Sequence, residues 1–198
     1  MCYAVSVART KEFDPNAVLV RAMELFWRRG YEATSVSDLV EHLGIAKASM
    51  YATFGGKREL YLAALDHYIR HPEPDPIEVL ATAEEVLPAI QTLLDVYAAP
   101  RPAGRPTGCM VVAAAIECAA DDAAVAARVE RSWGTSEVAL TSALLRARAQ
   151  GEIRDDIEPA SLAGYLLVLM QGIQVVNGSA EGVRRARDAA RYALAAAR

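Results

Sequence analysis

An all-α fold of about nine helices is what this 198-residue sequence predicts, and three observations predict it. Alanine, the strongest helix former, occurs 39 times, about a fifth of the chain. Apolar residues recur three and four apart, with no strand-like alternation and no internal repeat. Glycine (12) and proline (9) are too few for a loop-dominated chain. Bulk composition excludes other classes. With 53% apolar and 23% charged residues the chain is not disordered, and a net charge of −4 excludes a polybasic protein held to nucleic acid by bulk charge. Three cysteines, Cys2, Cys109 and Cys118, make no disulfide framework. No basic residue precedes the weak apolar run at Met1–Ala8, so no secretory signal is expected. The expected location is cytoplasmic.

Residues 1–13 read as a flexible tail. Asp14-Pro15 then gives an N-cap and a first-turn proline, Val18, Ala22, Leu25 and Phe26 follow at helical spacing, and Gly30 closes the segment. Thr34-Ser35 opens a second helix whose apolar face is Val36, Leu39, Val40 and Leu43, ended by Gly44. A third short helix spans about 46–53. Two short helices joined by a tight glycine-bearing turn form the helix-turn-helix pattern. After Gly55-Gly56 a longer helix runs from about Lys57 to Arg70, with Leu60, Ala64, Leu65 and Tyr68 facing inward. The run from His71 to Pro76 is a proline-rich break. The segment from Glu78 to Tyr97 is helical, with Pro88 expected to kink or split it. A second proline-bearing loop spans 100–106. Helical segments follow at 107–120, 121–149, 159–176 and 181–197. The stretch from Pro159 to Ala180 is charge-free and long enough to span a bilayer, but Ser161, Gln171, Gln174, Asn177 and Ser179 interrupt it. It reads as a buried helix, with no membrane partner.

The stretch from Ala22 to Val36 (AMELFWRRGYEATSV), with Asp38-Leu39-Val40, Leu43-Gly44-Ile45-Ala46-Lys47-Ala48-Ser49-Met50-Tyr51 and Phe54-Gly55-Gly56-Lys57-Arg58-Glu59-Leu60, closely resembles the opening of TetR/AcrR-type transcriptional regulators. The resemblance runs from Val18 to Leu65 without gaps. It implies a helix-turn-helix DNA-binding domain over residues 14–60 and an effector-binding, dimerising helical domain over 61–198. The expected head core is Leu25, Phe26, Val36, Leu39, Val40, Ile45, Met50, Phe54 and Leu60. The third helix would enter the major groove, so Lys47, Ala48, Ser49, Tyr51 and Ala52 are expected at the DNA. In the family, the position of Tyr51 places its hydroxyl on a phosphate. Lys57, at the start of the fourth helix, and Thr34 and Ser35, at the start of the second, are further candidates for phosphate. Two positions depart from the family: Ala46 cannot cap the reading helix, and Ala52 replaces a polar residue. Residues 1–57 carry a charge of +1 and residues 58–198 a charge of −5. Arg9 and Lys11 in the tail are candidates for phosphate or minor-groove contacts.

The resemblance further implies a homodimer reading a palindromic operator and released by a small effector, and the mix of candidate lining residues points to an apolar or aromatic one. Expected pocket residues are Tyr68, Tyr97, Met110, Ala114, Glu117, Trp133, Tyr165 and Gln171. Expected dimer residues are Leu162, Leu166, Leu169, Met170 and Ile173, with Val183, Ala190 and Leu194 on the last helix. Cys109, after Gly108 and near a helix start, supports an alternative in which a thiol senses electrophiles or oxidants. Cys118 is half a turn out of phase with it, so no disulfide joins them. Enzyme signatures are missing. Gly55-Gly56-Lys57-Arg58 is not a phosphate loop, and there is no Gly-x-Ser-x-Gly or His-Glu-x-x-His. His67 and His71 lie one turn apart without an obvious third ligand, so neither metal nor cofactor is expected.

Overall fold

The computed structural model describes residues 13–195, which form ten α-helices with no strand among them. The expected contacts of Arg9 and Lys11 lie outside the described residues; the last helix, expected to run to Ala197, ends at Tyr192, and residues 193–195 form a turn. Helix α1 (Pro15–Arg29) starts as its residues dictate: Asp14 accepts from the Asn16 amide at 2.9 Å, with Pro15 in the first turn. It ends at Gly30, whose φ of +83° few other residues adopt. Helix α2 (Val36–Leu43) has a full capping box. Ser35 Oγ accepts from the Asp38 amide at 3.1 Å, and Asp38 accepts from the Ser35 amide at 2.8 Å. A left-handed Gly44 ends it, and Arg21 of α1 donates to the carbonyls of His42 and Leu43, satisfying its last turn. Helices α3 (Lys47–Phe54) and α4 (Lys57–Arg70) follow, neither with a side-chain cap.

The expected split of the next segment occurs, but upstream of Pro88. Helix α5 (Pro76–Thr82) ends before residues 83–85, and α6 (Val86–Ala98) takes Pro88 into its first turn, where a missing N–H costs nothing. Glu152 supplies the cap, accepting from the amides of Val86 and Leu87 at 2.9 and 2.8 Å. Helices α7 (Met110–Glu117), α8 (Ala123–Ala149), α9 (Pro159–Val176) and α10 (Ala180–Tyr192) complete the chain.

Two apolar cores share α8. One holds α1–α4 together with α7 and the first half of α8, through Phe26, Leu39, Met50, Leu65, Met110, Ala114, Val125 and Val129. Val36, Val40 and Phe54 pack at its margin. The other joins α5, α6, the second half of α8, α9 and α10. By length and composition α9 could cross a membrane. Here it packs against α8, α6 and α10 through Ala163, Leu166, Met170 and Ile173.

Candidate nucleic-acid interface and internal cavity

Helix α3 is anchored by a single fully buried side chain, Met50, while Lys47, Ala48, Tyr51 and Ala52 are exposed and Ser49 is half-buried. The helix therefore presents one flat face of small residues flanked by a cation and a phenol. Its N-cap, Ala46, makes no side-chain hydrogen bond, so the first amides of α3 remain open donors at the same end as Lys47. Lys57 stands at the uncapped start of α4, its Nζ 4.1 Å above the Tyr31 ring, which fixes the cation beside α3.

Thr34 and Ser35 separate. Ser35 is the exposed cap of α2. Thr34 is fully buried and its hydroxyl donates to the Gly30 carbonyl at 2.7 Å, which corrects its expected role at phosphate: the side chain points into the head, where only a hydrogen-bonded hydroxyl is tolerated.

A cavity of about 410 Å³ lies between α1, α4, the α6–α7 loop, α8 and α9. Of the expected pocket residues, Tyr68, Tyr97, Trp133 and Gln171 line it, as does Cys109. The ring of Trp27 meets Tyr68 edge-on at 4.9 Å between centroids. Burial, then the neighbouring Cys109 sulfur, pushes the Tyr68 hydroxyl well above its usual range, and the same two causes push Tyr97 up to about 12. Both phenols stay neutral donors at any working pH. His67 and His71, also on the wall, stack at 4.3 Å. Burial, and next the His71 charge, lowers the His67 pKa. Among the described residues no group of three or more His, Cys, Asp or Glu side chains is placed to hold a metal ion.

Four expected pocket residues lie elsewhere. Met110 and Ala114 are buried in the head core. Tyr165 is half exposed on the outer arc of α9. Glu117 lies at the opposite end of α7 from the cavity, and its two carboxylate oxygens accept from the consecutive amides of Tyr31 and Glu32, each at 2.9 Å. A Cβ on Gly30 would sit 2.8 Å from those oxygens, so glycine is needed there for space as well as for its positive φ. Five residues on, Asp122 takes a bidentate pair from Arg58 of α4 at 2.7 and 2.9 Å. Arg128 and Asp66 make a second such pair between α8 and α4, at 2.8 and 2.9 Å. The α7–α8 elbow thus grips the head at three points, through Glu117, Asp122 and Arg128.

Several cavity residues escaped the sequence reading, notably Val20, Met23 and Trp27 of α1 and Arg101 of the α6–α7 loop. The signal was present. Alongside the core stripe Val18, Ala22, Leu25, α1 carries a second apolar stripe, Val20, Met23, Trp27, at the same spacing.

The expected dimer residues are also redistributed. Leu166, Met170, Ile173, Ala190 and Leu194 are buried within the chain, and Leu162, Leu169 and Val183 are partly buried. A charge-free helix has no polar arc, so spacing alone could not tell its inner face from its outer one. The outer arc of α9 is Tyr165, Val168 and Val175, beside Val138 and Leu145 of α8, and Val168 is 72% exposed.

A short amphipathic helix, a glycine-bearing turn and an exposed, uncapped second helix flanked by lysines define a helix-turn-helix DNA-binding protein. The sequence profile of the bacterial regulatory proteins of the tetR family matches residues 18–64, and that of the tetracyclin repressor-like C-terminal domain matches residues 86–194. The chain belongs to the TetR family and is a DNA-binding transcriptional regulator. It is 39% identical over 81% of its length, and 84% of the relative's, to the uncharacterized HTH-type transcriptional regulator YezE of Bacillus subtilis (strain 168). It is 32% identical over 88% of its length to the HTH-type transcriptional repressor ComR of Escherichia coli (strain K12), covering 84% of that protein. Among solved structures, a cysteine mutant of the TetR family regulator CifR complexed with a 26-base-pair double-strand operator DNA superposes with a TM-score of 0.85. It is 29% identical, over 96% of this chain and all of that one.

Proposed function

We propose that the protein is a homodimeric, cytoplasmic repressor that leaves a palindromic operator when a small apolar or aromatic effector fills the cavity. One observation carries this reading: the cavity wall includes α1 and α4, and α4 packs directly on the reading helix. A ligand there acts on elements that position α3 directly. Displacing α4 and α1 in both subunits changes the spacing of the two reading heads, and both half-sites lose register together. ComR, named a repressor, supports the direction of regulation. The unpartnered apolar arc of α8 and α9 supports a twofold four-helix contact with a second copy. No catalytic chemistry or cofactor enters this reading.

The test is a titration against DNA flanking the protein's own gene at two salt concentrations, with and without a small-molecule panel. Saturable binding to a palindromic segment is expected. Lys47→Ala should lower affinity and reduce the salt slope by about one, while Tyr51→Phe should weaken binding severalfold with the fold intact. Binding that survives Tyr51→Phe combined with Lys47→Ala and Lys57→Ala overturns the reading.

A second reading concerns Cys109, which precedes the first residue of α7 and lies on the cavity wall. Its modification by an electrophile or oxidant would occupy the cavity from within and release DNA by the same displacement. Oxidant-induced release that is the same in Cys109→Ser as in the wild type excludes it.

A further inference from the structure

The cavity's unpaired charge specifies a ligand charge. We propose that it binds an organic anion, a compact carboxylic acid with an aromatic or aliphatic body, whose carboxylate is met by Arg101. The proposal rests on the reading of this cavity as the effector site.

The wall carries three arginines, Arg101, Arg105 and Arg131, against two carboxylates, Glu24 and Glu73. Both carboxylates on the wall are engaged, Glu24 with Arg28 at 3.8 Å and Glu73 with Arg105 at 3.6 Å. Arg101 has no carboxylate within ion-pair distance among the described residues. Its one hydrogen bond is long, 3.4 Å to the Gly108 carbonyl. The uncommitted charge is therefore positive, in a half-buried setting where a carboxylate gains strong, charge-assisted bonds.

Four aromatic side chains, Trp27, Tyr68, Tyr97 and Trp133, would by themselves suit a cationic ligand. The guanidinium of Arg101 already lies over the Trp27 ring, 5.8 Å from its centroid, and would repel a second cation. The volume, about 410 Å³, is near the low end for small-molecule sites and favours a compact ligand.

The matched probes are 4-hydroxyphenylacetate, its methyl ester and tyramine, with octanoate as the aliphatic acid, titrated calorimetrically into the full-length protein. The acids should bind saturably, and tyramine and the ester about tenfold or more weaker. Arg101→Gln should weaken the acids about tenfold and leave the ester unchanged, and Arg101→Lys should recover part of the loss, with an unchanged melting temperature in both. Tyramine or ester binding as tightly as the acid, or unaltered acid affinity in Arg101→Gln, overturns the anion proposal and leaves the cavity a ligand site. Acid binding without any loss of operator affinity keeps the anion site and removes the effector reading. No binding by any probe at millimolar concentration overturns the anion proposal.

Discussion

Thr34 and Ser35 are neighbouring hydroxyls that the fold uses in opposite ways, one as a buried donor and one as an exposed cap. Their separation was legible in the sequence: only Ser35 has a carboxylate three residues on, at Asp38, which completes a capping box. Ser35→Ala should lower stability by about 1 kcal/mol, read as a shift in urea midpoint. Asp122 offers a test by acid. Chiefly the hydrogen-bonding Arg58 guanidinium, and after it the amides of Ala124 and Val125, hold its carboxyl at about 2, against an ordinary value of 3.8. The unfolded chain takes up this proton more readily than the folded one. The pair's contribution is therefore complete above pH 3.8 and is lost as the pH falls toward 2. The gap in urea midpoint between wild type and Asp122→Asn should stay constant from pH 7 to 5 and close below about pH 4. Residues such as Arg58 and Asp122 were not legible as partners, since 64 positions separate them and each is an ordinary surface charge in its own segment.

At the scale of elements, α7 is the piece with two ends. Its first residues, Cys109 and Val111, touch the cavity, and its last, Glu117, holds the α1–α2 loop. A helix of eight residues is about 12 Å long and stiff, so movement at one end is delivered to the other. Glu117→Gln should remove one of the two amide bonds, raise hydrogen exchange at Tyr31 and Glu32 about tenfold, and destabilise the fold by about 1–3 kcal/mol. The order and approximate placement of the helices were legible from capping residues, prolines and apolar spacing; α9 begins and ends where its sequence predicts, while α7 and α10 are shorter than expected. What failed was the outward face. In α7 and α9 no polar arc opposes the apolar one, so the assignments of Ala114, Leu166 and Ile173 to pocket or dimer could only follow from packing.

At the scale of the molecule, the exposed apolar arc of α8 and α9 predicts its own cover. Val168→Glu places a charge at the centre of that arc without touching either core, so helix content and melting should be little changed. Light scattering should report a monomer, and operator affinity should fall at least tenfold as one half-site is lost. The helix-turn-helix head, its reading helix and the position of its lysines could be read from the sequence. The cavity could not, because its wall is assembled from five separate segments whose apolar residues look like ordinary core.

The length of α8, 27 residues or about 40 Å, bears on how such proteins can be recombined. Its first half belongs to the core of the head and its second half to the core of the body. A hybrid regulator that grafts only the first sixty residues onto a foreign sensor would leave Met110, Ala114, Val125 and Val129 behind, and with them part of the hydrophobic seat of the grafted piece. The natural unit of exchange is discontinuous: the first four helices together with α7 and the front of α8.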